Sequence, residues 1–320
     1  MNAAVLRTLG KPPRCEFFPE PVAGDGEVIV HVRAAALKPV DKQMASGSHY
    51  ASFRELPVVC GLDGVGNLDD GSRVFFAAPR QPHGAMAHRT VVSRVRCWPL
   101  PDDIDDVTAA AVVNPGVSAW LTLSERAKLA KGDQVLILGA TGTTGRLAVQ
   151  IARLLGAGRV VAAGRDETTL STLHHLGVDS TIPLNQSDEK LVEAFSREAG
   201  EKGFDIVIDY LWGRPTEVLL SAVTRGDFAP ASGSIRLVQV GESAGPTISL
   251  PAAVLRSSGL EILGSGSGTA ASLDKLRDAF RQVLSRAASG GLRIETDSVP
   301  LADVEIAWER KSRARLVIIP

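Results

Sequence analysis

The stretch that decides the fold runs from residue 134 to residue 166 and reads QVLILGATGTTGRLAVQIARLLGAGRVVAAGRD. It begins with a short, wholly apolar run, residues 135–138, which is typical of a parallel strand buried on both faces. Glycine-rich residues 139–145 follow, and after them come apolar residues at helical spacing. A second apolar run, residues 159–163, leads into Gly164-Arg165-Asp166. This order of strand, glycine turn, helix and strand predicts a doubly wound dinucleotide-binding sheet.

The glycine turn indicates where the phosphates of a dinucleotide bind. Gly142 lets the backbone approach the phosphates, since a Cβ there would strike the ligand, and Gly145 lets the helix pack closely on the strand. Ala140 stands where the standard fingerprint has its first glycine, so the match is G/A-x-G-x-x-G. Hydroxyl groups in the turn can contact phosphate or can cap the helix. They belong to Thr141, Thr143 and Thr144.

The end of the second strand helps to choose the cofactor. An acidic residue at this point takes the ribose hydroxyls of NAD, whereas an arginine suits the extra phosphate of NADP. Both types are present, because Arg165 comes directly after Gly164 and Asp166 follows it. Asp166 can bind the ribose or can merely cap the next helix, and the alternative for Arg165 is an ordinary solvated side chain. We expect NADPH.

Composition limits the class of protein. The 320 residues have a net charge of −1 and are 44% hydrophobic, which suits two domains with ample cores. The chain has no excess of basic residues that would indicate binding to nucleic acid or to a membrane surface. Cys15, Cys60 and Cys97 lie far apart in the sequence. This spacing argues against a disulfide framework and against a cysteine-rich zinc lobe. With no secretion signal and no apolar run long enough to span a bilayer, we expect a soluble cytoplasmic protein.

The residues before the glycine turn do not alternate between strand and helix. Residues 1 to about 115 contain strand-like runs separated by Gly and Pro, which predict a small, twisted, partly closed β domain. Two helical stretches broken at Asn114-Pro115-Gly116 are expected within residues 107–129. After them, β-α alternation predicts a doubly wound sheet of six buried strands.

The C-terminal residues predict that one domain is inserted into the other. Residues 316–319 read as a closing strand, and the nearest unfinished sheet is N-terminal. We therefore expect a Rossmann domain of residues 116–264 within a discontinuous domain of residues 1–115 plus 265–320. The glycine-serine run of residues 264–268 would be the return crossing.

Several motifs along the whole chain resemble those of the medium-chain dehydrogenase/reductase superfamily. They are Pro39-Val40-Asp41, Gly61-Leu62-Asp63-Gly64-Val65-Gly66, Ser118-Ala119-Trp120 and the glycine turn. The closest likeness is to the zinc-independent quinone oxidoreductase group, which is zeta-crystallin-like. The resemblance implies an α/β fold in which a Rossmann doubly wound parallel sheet is inserted into a GroES-like, partly closed β-barrel domain. It also implies a homodimer formed through the edge strand at residues 260–263, with a monomer as the alternative.

The resemblance implies a reductase without zinc. Zinc-containing members carry a cysteine in the loop that reads Ala36-Leu37-Lys38-Pro39 here, and Gly-His-Glu where this chain has Gly61-Leu62-Asp63. Without a thiolate or an imidazole at those positions, a catalytic zinc has almost no ligands. Reduction of an electrophilic acceptor needs only a placed hydride and stabilisation of negative charge. In the resembling group, NADPH gives its hydride to a quinone or to the β-carbon of an enone or enoyl thioester.

The resemblance also suggests two catalytic residues. Tyr50 falls where the group has a tyrosine beside the nicotinamide, and its phenol can hydrogen-bond a developing enolate and donate a proton. The alternative is an aromatic residue that packs in a loop. Lys38 stands where many members have an asparagine, and it can stabilise an oxyanion or be simply exposed. Asp41 is expected to be a turn or cap residue rather than a base.

The expected cofactor-binding residues come from both the glycine turn and the resemblance. Ser118 replaces a threonine that contacts the cofactor in relatives, and Leu184 replaces a tyrosine near the adenine-side phosphate. The lysine usual in the next helix is also missing, so Arg165 would bind the 2′-phosphate largely alone. The full set is Asn114, Ser118, Ala140, Thr141, Gly142, Thr143, Thr144, Gly145, Gly164, Arg165, Gly241, Glu242 and Ser243.

Three alternatives stay open at this point. A short-chain reductase would use Tyr-x-x-x-Lys, but the nearest match is Tyr210-x-x-x-Arg214, and more than a hundred residues precede the glycine turn. A non-enzymatic NADPH sensor or structural protein is a second alternative. Among enzymes, reduction of an enone or enoyl thioester is the alternative to quinone reduction.

Overall fold

The computed structural model describes residues 1–224, 233–266, 269 and 271–320. The strands, numbered in chain order, are β1 Asn2–Leu6, β2 Arg14–Phe17, β3 Glu27–Ala36, β4 Val58–Val59, β5 Asp63–Asn67, β6 Arg73–Ala77, β7 Arg89–Ser93, β8 Cys97–Pro99, β9 Gln134–Leu138, β10 Arg159–Gly164, β11 Ser180–Pro183, β12 Ile206–Asp209, β13 Ile235–Gln239, β14 Leu260–Gly264, β15 Thr296–Pro300 and β16 Arg315–Ile319. The α-helices are α1 Pro39–Ser46, α2 Asp106–Leu121, α3 Thr143–Leu154, α4 Glu167–Thr172, α5 Asp188–Ala199, α6 Arg214–Val223, α7 Ala252–Ser257, α8 Leu273–Ala288 and α9 Val304–Glu309.

The chain divides into two units, and one of them is discontinuous in sequence. The first unit comprises Met1–Asn114 and Gln282–Pro320, and the second comprises Pro115–Arg281. The boundaries expected from the sequence, after residues 115 and 264, stay a prediction. Of the expected return crossing, Ser267 and Gly268 lie outside the described residues.

The first unit is built on two sheets whose inner faces form an apolar core. In the part of the chain that is described, one sheet has the order β15-β16-β3-β5-β6-β8, with β7 also paired to β3, and the other has the order β2-β1-β4. The C-terminal strand β16 pairs antiparallel with β3, with Val317 opposite Ala36. The prediction that the last strand completes the N-terminal sheet is therefore confirmed. β15, which the sequence analysis did not predict, pairs parallel with β16.

The second unit is a parallel doubly wound sheet. Its described strands have the order β11-β10-β9-β12-β13-β14. All neighbours are parallel, and Val135–Leu138 of β9 are fully buried, as expected for a strand covered on both faces. The chain moves outward from β9 through β10 to β11 on one side and through β12 and β13 on the other. The strand order thus reverses between β9 and β12, which is where such sheets bind ligands.

The expected helix break at Asn114-Pro115-Gly116 is wrong. Helix α2 runs without interruption from Asp106 through Pro115 to Leu121, and Thr122–Arg126 continue it as a π-helical turn. Proline already has a helical φ, so its place within the helix costs one backbone hydrogen bond and some steric strain. Burial of the apolar residues on both sides of Pro115 offsets this cost. The expectation that no apolar run is long enough to span a bilayer is corrected here: by length and composition alone Asp106–Arg126 is apolar enough to cross a membrane, but 67% of its apolar window is buried in the protein.

Candidate functional site

The glycine turn after β9 is held against the neighbouring strand. Gly139 has a φ of 86°, in the left-handed region that favours glycine. The amides of Gly139 and Ala140 both donate to the carbonyl of Ala163 in β10, at 2.9 and 3.0 Å. Gly139 was not among the predicted residues, because the fingerprint was matched from Ala140 onward. Its positive φ shows that Gly139 supplies the sharp turn.

The two other glycines of the turn have different surroundings. A Cβ on Gly145 would lie 2.3 Å from the Gly139 carbonyl oxygen and 2.7 Å from Cα of Ala140, so only glycine allows α3 to pack this closely. A Cβ on Gly142 would meet nothing nearer than the Gly139 carbonyl oxygen at 3.4 Å. The protein itself therefore leaves room beside Gly142.

The first turn of α3 offers backbone donors to a ligand. Gly142 is the N-cap and has an extended conformation, so the threonines of the turn do not cap the helix. The amides at a helix start have no acceptor within the helix, and this first turn contains no acidic residue. Such a helix start attracts an anion through its amides and its dipole. The backbone of Thr143, Thr144 and Gly145 is thus suited to a phosphate group.

The end of β10 presents an arginine rather than a carboxylate. Asp166 is the N-cap of α4, and its carboxylate accepts from the amide of Thr169 at 3.2 Å and from its hydroxyl at 2.7 Å. Arg165 is exposed, and its guanidinium has no hydrogen-bond or ion-pair partner among the described residues. A Cβ on Gly164 would lie 2.5 Å from Cγ2 of Thr141, so the predicted Gly164 and Thr141 are in contact.

Two further loops lie beside this edge of the sheet. The amides of Val240 and Gly241 donate to the Asp209 carbonyl at 2.8 and 3.2 Å, which joins the end of β13 to that of β12. Glu242 and Ser243 follow in exposed positions, and the Ser243 hydroxyl donates to the Tyr210 carbonyl at 3.0 Å. We call the residues that follow β9, β10, β12 and β13 the carboxyl edge. Of the other predicted residues, Ser118 is half-buried in α2.

The first unit contains a buried polar group that we call the Lys38 cluster, formed by Lys38, Asp41, Asp63 and Asn114. The Lys38 ammonium lies 2.8 Å from Oδ1 of Asp63, 3.4 Å from Oδ2 of Asp41 and 3.2 Å from the carbonyl oxygen of Ala36. Lys38, Asp41 and Asp63 are all at most 3% exposed. The amide of Asn114, which is itself exposed, donates to Oδ2 of Asp63 at 2.9 Å.

Electrostatics keep Lys38 protonated within this cluster. Burial lowers the pKa of Lys38, but the carboxylates of Asp41 and Asp63 more than offset this effect, so its pKa lies above its ordinary value. The pKa of Asp63 is raised by burial and by Asp41, against the effect of Lys38. Asp41 accepts from the backbone amides of Lys38 and Leu62, which is the cap role expected for it. Lys38 is therefore a cation that donates to Asp63 and to the Ala36 carbonyl and forms an ion pair with Asp41.

The two predicted catalytic residues have different environments. Tyr50 is 80% exposed and its ring lies 4.1 Å from that of His49, in the loop that follows α1. Lys38 is 3% exposed, so it is not the solvated lysine that one alternative described. The sequence reasoning also missed that Asp63 links Lys38 to Asn114. The only sequence signal for this link is that charged residues such as Asp63 occur within otherwise apolar runs.

Comparison with known proteins adds to this geometry. Residues 143–289 match the family model described as zinc-binding dehydrogenase. The quinone oxidoreductase of Sus scrofa is 30% identical over 201 residues, which are 60% of this chain and 59% of that protein. Prostaglandin reductase-3 of Mus musculus is 27% identical over 65% of this chain and 55% of its own length. These alignments cover less than two thirds of either relative.

A solved structure covers the whole chain. The quinone oxidoreductase of Thermus thermophilus, also determined in complex with NADPH, has a TM-score of 0.80 and 27% identity over all of both chains. The alignments and the fold support a place for this chain in the medium-chain dehydrogenase/reductase superfamily, in its quinone oxidoreductase-like group. The zinc in the name of the family model does not bear on the Lys38 cluster, because the matched region begins at residue 143, after every member of the cluster.

Proposed function

We propose that this chain is an NADPH-dependent reductase of that superfamily and transfers a hydride to a quinone. The observation that carries the proposal is the end of β10, where Asp166 is engaged as a helix cap and the guanidinium of Arg165 is exposed without a partner among the described residues. A carboxylate that accepts from Thr169 is a poor ligand for the ribose hydroxyls of NAD. A guanidinium that is available can pair with the 2′-phosphate of NADPH.

The carboxyl edge fits a dinucleotide. The room beside Gly142 and the amide groups at the start of α3 suit a pyrophosphate, and a Cβ at Gly142 would fill that space. We propose that the predicted set in the second unit holds the cofactor. The set comprises Ser118, Ala140, Thr141, Gly142, Thr143, Thr144, Gly145, Gly164, Arg165, Gly241, Glu242 and Ser243. Asn114, from the first unit, belongs to the same proposal.

NADPH supplies the hydride when it is bound. We propose that Tyr50, with an exposed phenol, hydrogen-bonds the oxygen of the reduced acceptor and can give it a proton. Lys38 is proposed to stabilise negative charge on the acceptor. Because three protein oxygen atoms already lie within 3.4 Å of its ammonium, an oxyanion would have to displace one of them. Tyr50 is thus the more accessible of the two.

We further propose that the enzyme works without zinc. The positions that correspond to zinc ligands by resemblance carry no thiolate or imidazole, and Asp63 is already paired with Lys38 at 2.8 Å. The Lys38 ammonium is already paired with the Asp63 carboxylate, which a metal ion would need as a ligand. We also propose that the protein is located in the cytoplasm and forms a homodimer. The dimer would form through β14, which has only β13 as a partner within the described sheet.

A second acceptor class is favoured by one comparison. The name of the Mus musculus relative refers to reduction of a prostaglandin rather than of a quinone. The alternative proposal is therefore reduction of a conjugated C=C bond in an enone or enoyl thioester. A non-enzymatic NADPH-binding sensor or structural protein is the remaining alternative.

The test follows oxidation of NADPH and of NADH by the purified chain, with and without a chelator, when a small quinone and a short enone are offered in parallel. We expect NADPH to be consumed faster than NADH, with no loss in the chelator, and the quinone to be the faster acceptor. A faster enone would select the alternative enzyme. Binding of NADPH without reduction of either acceptor would favour the sensor, and a preference for NADH would contradict the role of Arg165.

A further inference from the structure

One buried hydroxyl group at the carboxyl edge has no hydrogen-bond partner. The hydroxyl oxygen of Tyr210 is buried, and no described residue donates to it or accepts from it. Burial raises the pKa of this phenol above its ordinary value, so at neutral pH it is a donor. A buried polar group without a partner is rare and destabilising, because it has lost its water without replacement.

Tyr210 lies where the strand order of the sheet reverses. It follows β12, directly beside β9, and its amide donates to the Leu138 carbonyl at 3.2 Å. A Cβ on Gly139 would lie 3.2 Å from Cβ of Tyr210, and one on Gly241 would lie 2.9 Å from its carbonyl oxygen. Cβ of Tyr210 thus lies beside the glycine turn, and its carbonyl lies beside the loop after β13. Parallel α/β sheets bind ligands at this point, outside the carboxyl ends of the strands.

The backbone around Tyr210 is held in an unusual conformation. Trp212 has a φ of 55°, which is rare for a bulky side chain, and Gly213 follows with a φ of 61°. Asp209 holds the turn, since its Oδ1 accepts from the amides of Leu211 and Trp212 at 2.8 and 2.9 Å. Its Oδ2 accepts from the hydroxyl of Thr216 at 2.6 Å. Strained turns that the surrounding structure stabilises in this way are concentrated at ligand sites.

We propose that the Tyr210 hydroxyl donates a hydrogen bond to an oxygen atom of the bound dinucleotide, which makes Tyr210 a cofactor-binding residue. This inference rests on the proposed function, because it takes NADPH as the ligand. It explains why a tyrosine with no internal partner is found at a strand end that adjoins the glycine turn. In a short-chain reductase the tyrosine of Tyr-x-x-x-Lys would be catalytic, and Tyr210 is the nearest match here. In this proposal Tyr210 binds the cofactor instead.

The test compares wild-type protein with Tyr210→Phe in two measurements. Without ligand, Tyr210→Phe should melt about 1–3 °C higher, since an unsatisfied buried hydroxyl is removed. The Kd for NADPH, measured by calorimetry, should nevertheless rise about tenfold, because the bound state loses a hydrogen bond. These opposite signs distinguish a ligand contact from a structural role, which would leave the Kd unchanged and so overturn the proposal.

Thr90→Val is a matched control. Thr90 in β7 of the first unit also has a buried hydroxyl without a described partner, so its replacement should raise the melting temperature and leave the Kd for NADPH as it is. An equal loss of affinity in this variant would overturn the assignment. If wild-type protein bound no NADPH, the proposed function would fall together with the inference. If wild-type protein bound NADPH normally and Tyr210→Phe had the same Kd, the inference about Tyr210 would be overturned and the proposed function would stand.

A second measurement does not depend on the Tyr210→Phe protein. The chain has two tyrosines, so 3-fluorotyrosine labelling gives two ¹⁹F resonances, and Tyr50→Phe identifies the one from Tyr210. Saturation with NADPH should move that resonance, and 2′-phospho-ADP-ribose should reveal whether the half without nicotinamide is sufficient. A Tyr210 resonance that stays in place with both ligands would contradict the contact.

Discussion

The Lys38 cluster and the carboxyl edge use polar groups in opposite ways. In the cluster, Lys38, Asp41 and Asp63 are almost fully buried, and each charged atom lies beside a protein partner. At the carboxyl edge, Arg165 is exposed and Tyr210 has a buried hydroxyl, and neither side chain has a partner in the described part of the chain. The first region is complete by itself, whereas the second has an exposed donor and a buried donor that lack a protein partner.

This difference indicates how the two units divide the work of stability and binding. Buried charges are costly unless they are paired, so a cluster such as that of Lys38 is sensitive to the loss of any one member. A buried donor without a partner lowers the stability of the free protein, and a ligand that accepts from it raises that stability. Variants in the cluster should therefore change stability first, and variants at the carboxyl edge should change binding first.

The largest expected effect is that of Lys38→Met, which leaves Asp63 buried without its cation. We expect a loss of about 3–5 kcal/mol of unfolding free energy at neutral pH, measured by denaturant titration. Because the pKa of Asp63 is already raised, the folded variant binds a proton more readily than the unfolded chain, and stability should recover as the pH falls through that pKa.

The double variant Lys38→Met/Asp63→Asn is the control for this prediction, since it removes both charges. It should regain much of the stability and lose the pH dependence. If it also keeps full reductase activity, the proposed catalytic role of Lys38 is wrong. Equal stability of wild-type protein and Lys38→Met at pH 7 would contradict the description of the cluster as a paired buried charge.

The second prediction separates packing from binding within the glycine turn. Gly145→Ala should cost about 2–4 kcal/mol, because its Cβ would strike backbone atoms at 2.3 and 2.7 Å. Gly142→Ala is the matched variant, with open space around the Cβ, and should keep wild-type stability while it weakens NADPH binding. Thermal melting and calorimetry check the pair. Normal NADPH binding by Gly142→Ala would show that the pyrophosphate does not approach this residue.

The third prediction concerns the exposed end of β10. Arg165→Gln should raise the Kd for NADPH about 10- to 100-fold, as expected for loss of a charge-assisted contact, and leave the Kd for NADH unchanged. The melting temperature should stay the same, because the Arg165 guanidinium is exposed and has no partner among the described residues, and the substitution keeps the carbonyl that accepts from Asn185. Titration of both cofactors against both proteins is the measurement. An equal change for NADPH and NADH would place Arg165 away from the 2′-phosphate.

The smallest effect is expected at the cysteines, all of which lie in the first unit. Burial raises the pKa of Cys97 to about 11 and also raises the pKa values of Cys15 and Cys60. Since the thiolate is the nucleophile, iodoacetamide should label the folded protein slowly at pH 8 and leave its activity unchanged. Mass spectrometry follows the labelling. Faster labelling of Cys60 in Lys38→Met would report that the cluster has opened, and rapid labelling of wild-type Cys60 would argue against its burial.

Much of the fold could be predicted because its signals are local. The glycine spacing between residues 139 and 145, the apolar run of β9 and the β-α alternation each lie within a few tens of residues. The structure agrees with the resulting parallel sheet and with the pairing of β16 to the N-terminal sheet. The continuous helix through Pro115 was missed, since the preference of proline to end a helix was outweighed by packing on both sides.

The sequence by itself determined the two-part organisation, the glycine turn and the arginine after β10, because these depend on residue type and short spacing. Only the tertiary structure decided that Lys38 is a buried ion-pair partner, that Asp166 is a cap and that the hydroxyl of Tyr210 has no partner. The residues that decide these states can be distant in sequence, since Asp63 lies 25 residues from Lys38 and 51 residues from Asn114. A charge or a hydroxyl looks the same in any sequence, and its surroundings after folding determine whether it stabilises the protein or binds a ligand.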